Sequence, residues 1–258
     1  MTTTQLNAFT SDVLDALDVT KATSTQVAGL TTTSFANLTG DQVAALSADQ
    51  IGSLSTDQLG VLSSTEVQAF STTQAGALTA AQLGGLATTQ LGLFSSDQFA
   101  ALTTTQVQGL SSDQLNAITV DMLDALDIAK LSSDQVTGLT TTSIVNLSDT
   151  QIAALAATQV GALSIDQLGA LTTTDFSNLT ADQSGALTAG QVAGLSTTYF
   201  SSLSATTGIP GLSISAIAGI SVDDIHALTQ DQGNAFTQAQ IDVMSADQLS
   251  ALVDVVTA

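Results

Sequence analysis

Apolar residues recur along this chain with a period of eight. From Leu46 to Ala117 it reads LSADQIGS, LSTDQLGV, LSSTEVQA, FSTTQAGA, LTAAQLGG, LATTQLGL, FSSDQFAA, LTTTQVQG, LSSDQLNA. Numbered from its leucine, the octad carries Leu (sometimes Phe, Ile or Met) at position one and Ser or Thr at position two. Position four is often Asp or Thr, five is Gln in most copies, and six is Val, Leu, Ile or Phe. Positions seven and eight are mostly small.

This pattern predicts a helix start in every octad. Ser or Thr followed three residues later by Gln or Glu is a capping box, in which two orphan backbone donors are satisfied reciprocally. With position two as N-cap, Asp at position four sits in the first turn, where the helix dipole favours negative charge. The apolar residues at positions one and six then form a hydrophobic staple. Two adjacent copies show every element: Leu46, Ser47, Asp49, Gln50 and Ile51, then Leu54, Ser55, Asp57, Gln58 and Leu59.

One continuous helix does not fit. Eight residues at about 100° each leave the apolar stripe rotated by about 80° per repeat, so it wraps the helix and faces no single partner. Ser and Thr also prefer caps to helix interiors. The expected fold is therefore all-α, a solenoid or superhelix of helices of one to two turns. Each is too short to stand alone and persists by stacking on its neighbours. A β-solenoid is the alternative, with Thr tracts on one face and Gln ladders. It conflicts with the opposite parity of positions one and six, which one straight strand cannot bury on the same face.

The whole chain, 1–258, is expected to form a single repeat solenoid, which interruptions divide into blocks: 1–21, 22–130, 131–202 and 203–258. Five-residue segments, Leu17–Lys21 and Leu126–Lys130, break the octads and hold the only two lysines. VLDALDVTK and MLDALDIAK are near copies, and the matching continues downstream, so a block of 109 residues is duplicated above the octad. These segments lack a Ser/Thr cap, which predicts longer helices over Asp12–Lys21 and Asp121–Lys130, ending on a lysine that suits the dipole. The lysines, Lys21 and Lys130, are candidate contacts to a neighbouring subunit. LSATTGIPG, Leu203–Gly211, is one residue too long and carries the only proline, so it reads as a loop or bend.

Charge and composition narrow the function. Two Lys and no Arg stand against 23 acidic residues, a net charge of −21. That excludes nucleic acid, whose phosphates require cations, and an anionic membrane surface. No apolar run is long enough for membrane insertion, and the start lacks the basic and apolar regions of a secretory signal peptide. With 44% apolar residues the chain is too hydrophobic for an acidic disordered tail.

Candidate chemistry is sparse. His226 is the only histidine and cysteine is absent, so no zinc set or metal facial triad is available. Asp223–Asp224 reads as a solvated acidic helix start. A calcium-binding ladder of position-four Asp lacks a D-x-D-x-D-G loop, and pairing with helix N-termini accounts for those residues. No cofactor and no catalytic site are expected.

The repeat L-[ST]-x-x-Q-[VLI]-x-[AG]-L resembles the LTxxQ-type octapeptide tracts of large secreted and surface proteins of Gram-negative bacteria. That resemblance covers nearly the whole chain. It implies an extracellular or cell-surface location and leaderless, type I-like secretion with an uncleaved C-terminal signal. The glycine-rich calcium nonapeptides of the RTX class are missing. The expected function is structural: head-to-tail self-assembly into a filament, surface layer or biofilm matrix. The alternative is the stalk or ligand-binding region of an adhesin, with a cell-surface polysaccharide as partner, or an ice-binding array if the fold is β.

Overall fold

The computed structural model describes residues 1–258 and contains only helices and turns. The β-solenoid alternative fails, and the ice-binding array fails with it. Nearly every octad forms one helix, typically of 5 or 6 residues, such as Ala48–Gly52 and Ser112–Ala117. The N-cap residue is extended and its hydroxyl accepts from the backbone N–H three residues on, as Ser47 does from Gln50 at 3.2 Å. The helix ends when the next position-one residue leaves helical geometry, as Leu78 does at φ −62°, ψ 136°. Position one thereby drops into the core beside position six: Leu46, Ile51, Leu54 and Leu59 are all buried.

The chain divides into two compact units, Met1–Leu131 and Ser132–Ala258. Each is an all-α solenoid in which helices three elements apart in sequence pack together. In the first unit Ala48–Gly52 packs on Thr72–Ala77; in the second Ala157–Ala162 packs on Ala181–Gly185. These contacts are close because positions seven and eight are small. A Cβ on Gly84 would stand 2.3 Å from the Gly109 carbonyl oxygen, and one on Gly219 would stand 2.1 Å from that of Ala189. No glycine has a positive φ, so these residues provide room for the neighbouring backbone rather than unusual conformation.

The two five-residue segments do not extend a helix. The expected helices over Asp12–Lys21 and Asp121–Lys130 are each broken in two: Ser11–Asp15 then a 3-10 turn Val19–Lys21, and Val120–Ala125 then Ile128–Lys130. Aspartate is the reason. Asp18 and Asp127 are themselves N-caps, accepting from the backbone N–H of Thr20 (3.1 Å) and Ala129 (3.2 Å). A short polar side chain that bonds nearby backbone competes with the helix as Ser does. Leu126 turns extended (φ −76°, ψ 128°) and is buried at 2% exposure.

Leu203–Gly211 is likewise not all loop. After the turn 204–207, Gly208–Gly211 forms a one-turn helix that packs on Ala181–Gly185. Pro210 is tolerated because the first turn of a helix leaves its N–H groups unbonded. At the C-terminal end Ala246–Thr257 runs for 12 residues and lies on Val222–His226 and Gln230–Asn234.

Candidate functional site: a glutamine ladder

The feature that recurs through the solenoid is the amide of the position-five glutamine. In Gln58, Oε1 accepts from the N–H of Ser55 at 2.9 Å, completing the capping box. Its Nε2 then donates outward, to the carbonyls of Val27 at 3.0 Å and Leu30 at 2.9 Å. Those acceptors lie 31 and 28 residues earlier, at positions six and one of preceding octads. Gln58 is 1% exposed and every hydrogen-bonding group on its amide is used. A buried amide left unpaired is costly, whereas a fully paired one specifies a single arrangement.

The bond repeats with the octad. Gln50 ties to Val19 and Ala22, Gln82 to Ile51 and Leu54, Gln98 to Val67 and Phe70, and Gln114 to Leu83 and Leu86. In the second unit Gln167 ties to Val136 and Leu139, Gln191 to Val160 and Leu163, and Gln248 to Ile217 and Ile220. The ties span 28 and 31 residues while the packed helices lie three octads apart, so one turn takes between three and four octads. Each tie addresses only main-chain oxygens, so the bond itself does not depend on the side chain of the acceptor residue.

The ladder also explains the irregular segments. Gln50 reaches Val19 and Ala22 at the normal offsets of 31 and 28. Gln42, whose path back crosses Leu17–Lys21, reaches Leu14 and Leu17 at 28 and 25. The segment is therefore an octad lacking three residues, with Leu17 at position one, Asp18 at the cap and Val19 at position six. It keeps the superhelical phase. The one-residue excess after Leu203 is absorbed the same way: Gln232 bonds Leu203 at an offset of 29, and Gln240 returns to 28 with Leu212.

Both shortened octads lack a glutamine and carry a lysine instead. Lys130 Nζ donates to the Leu102 carbonyl at 2.7 Å, 28 residues earlier, where a glutamine amide would otherwise bond. Lys130 thus makes a contact within its own unit, and Lys21, its counterpart, is exposed. Beside Lys21, Asp18 is held below the usual carboxylate range, chiefly by the Thr20 hydroxyl at 2.5 Å, then by the Thr20 N–H and the lysine charge.

Asp49 and Asp57 stand exposed in the first turns of their helices, where the dipole favours them. His226 is half exposed and 3.7 Å from Asp254. No group of three His, Asp or Glu side chains is placed to hold a metal ion, and no helix is long and apolar enough to cross a membrane.

Residues 128–165 match the profile of the ALTTAQ repeat. The chain is a repeat protein. The ALTTAQ motif ends on glutamine, and in this chain the near versions Ala77–Gln82 (ALTAAQ) and Ala154–Gln159 (ALAATQ) run from position eight to the position-five residue. No curated protein matches the chain.

The inter-turn tie was missed in the sequence reading, although a signal for it was present. A capping box accepts Glu as readily as Gln, yet position five holds glutamate only at Glu66. A requirement for a donor explains that bias. Glu66 keeps the cap, accepting from Ser63 N–H at 2.7 Å, and it is only half-buried.

Proposed function

We propose that this chain is an extracellular structural repeat protein of the LTxxQ type, which assembles by stacking turn on turn into a filament, surface layer or biofilm matrix. The observation that carries this reading is the glutamine tie. Each turn recognises the one before it through main-chain carbonyls, so the surface it needs is offered by any further turn, of this polypeptide or of a second copy. Solenoids whose ends are not closed by a polar cap extend in this way, and head-to-tail addition without a closing rotation gives open polymers. Lys21 would give a preceding turn the bond that Lys130 gives Leu102. The helix Ala246–Thr257 offers an apolar outer edge, with Val253 56% exposed.

The charge of −21 and the octad pattern support the same location as the resemblance, the cell exterior. The reading assigns no catalytic role. Negative-stain microscopy of purified protein across a concentration series tests it. Long fibres or sheets are expected; a monodisperse monomer at high concentration overturns it. A second reading, the ligand-binding region of an adhesin, is favoured by a pair of surface grooves.

A further inference from the structure

Each unit carries one large open groove, and the two occupy the same place in the duplicated block. The first, about 530 Å³, is lined by Thr32, Thr56, Asp57, Gly60, Gly85 and Gln90 among others. The second, about 590 Å³, is lined by Thr141, Ile165, Asp166, Gly169, Gly194 and Tyr199. Every residue of that second set lies 109 positions after its counterpart in the first. The glycines open the floor in both: a Cβ on Gly85 would strike Thr56 Cγ2 at 2.6 Å, and one on Gly194 would strike Ile165 Cδ1 at 2.6 Å.

The grooves differ in one wall. In the first, the Gln90 amide Nε2 donates to the Gly60 carbonyl. In the second, the Tyr199 hydroxyl makes the same bond to Gly169, at 3.1 Å, and the ring stacks on buried Phe176 at 5.1 Å. The chain's single tyrosine is thus pinned at both ends of its side chain, half-buried, along a polar trough. In the same groove, the Thr141 hydroxyl and the Asp166 carboxylate are exposed and have no partner within the protein.

We propose that the Tyr199 groove is a binding site for a neutral hexose unit of a glycan chain. A rigid aromatic ring suits the C–H face of a pyranose, since such rings combine large apolar area with fixed geometry. A free carboxylate and hydroxyl beside it are the acceptor and donor that sugar hydroxyls require. The net charge of −21 selects against anionic ligands. The Gln90 groove has the same polar groups without the ring and is the weaker or silent copy. This inference deepens the ligand-binding reading and is independent of whether copies assemble.

The chain has one tyrosine and no tryptophan, so tyrosine emission reports this groove alone. The full-length protein is titrated with maltoheptaose, cellohexaose and mannohexaose, and separately with oligogalacturonate, by fluorescence and calorimetry. A saturable change with at least one neutral oligomer and none with the anionic one is expected. Tyr199→Gln copies the residue of the twin groove, where Gln90 makes the equivalent bond to Gly60; with an unchanged helical circular dichroism spectrum as the folding control, it is expected to weaken binding about tenfold or more. Tyr199→Phe keeps the ring and is expected to stay within about threefold of the parent. Gln90→Tyr is expected to raise the calorimetric stoichiometry from one site to two. No saturable signal with any neutral oligomer, preference for the anionic one, or binding indifferent to Tyr199→Gln overturns the proposal. Assembly is scored separately, by microscopy of the same samples.

Discussion

The glutamine at position five does two jobs with one amide, and this sets what each substitution there should cost. Gln114 accepts from Ser111 at 2.8 Å and donates to the carbonyls of Leu83 and Leu86, both at 2.8 Å. Gln114→Glu preserves the cap but turns an acceptor toward two buried carbonyls. A destabilisation of about 2–3 kcal/mol is expected, read as a lower urea midpoint by circular dichroism. The reverse experiment exists in the native sequence. Asp175 occupies position five and is 5% exposed; one carboxylate oxygen accepts from Thr172 N–H at 2.8 Å, and the other is buried without a partner. Asp175→Gln restores the repeat's own residue, whose Nε2 lies in reach of the carbonyls 28 and 31 positions earlier in the regular octads. It should stabilise the protein by about 1–2 kcal/mol in the same measurement. An unchanged or lower midpoint would show that the seam at Asp175 differs from the regular one.

At the scale of the helix, the Ser/Thr-x-x-Gln spacing made the starts legible, because capping is local and each box lies within four consecutive residues. Helix ends were less so. The sequence pattern places Asp18 and Asp127 in helix interiors, yet a local bond to the second residue beyond makes them caps, and no Ser or Thr marks the place. The span containing Pro210 suggests a loop or bend since a proline usually stops a helix, but the first turn is where it costs nothing. What stayed hidden was the contact between turns. It joins residues 25 or more apart, and no local signal encodes such a partner. Small residues show the same division. Gly84 and Gly76 look alike in sequence and both lie in helices, but a Cβ on Gly84 meets the Gly109 carbonyl at 2.3 Å, while one on Gly76 meets nothing within 4 Å. Gly84→Ala should therefore destabilise, and Gly76→Ala should stabilise by about 0.5–1 kcal/mol through helix propensity alone. Thermal melts of the pair separate close approach from propensity, and a gain in both would count against tight packing of the turns at Gly84.

Across a whole unit, stability belongs to the periodicity rather than to any one residue. Since each tie reads main-chain carbonyls at a set distance back, removing one full octad presents the same acceptors to the following glutamines. Removing half an octad places polar positions where Leu and Val carbonyls were, and it also exchanges core and surface residues over the next turn. The shortened octad Leu17–Lys21 shows which change of length is absorbed: it lacks three residues, yet it keeps Leu17, a cap at Asp18 and an apolar Val19. What must survive is the order of position one, cap and position six, not the count. Leu62–Ala69 is the octad to excise, because its Glu66 carries no donor amide for the preceding turn. Deleting all eight residues should leave a cooperative helical unfolding transition within about 2 kcal/mol of the parent, as expected for a quasi-one-dimensional repeat whose stability is a sum of neighbour terms. Deleting only Leu62–Thr65 should abolish cooperativity, with helical circular dichroism lost well below the parent's midpoint. Equal damage from both deletions would mean that particular side-chain pairs, rather than the repeating tie, hold successive turns together.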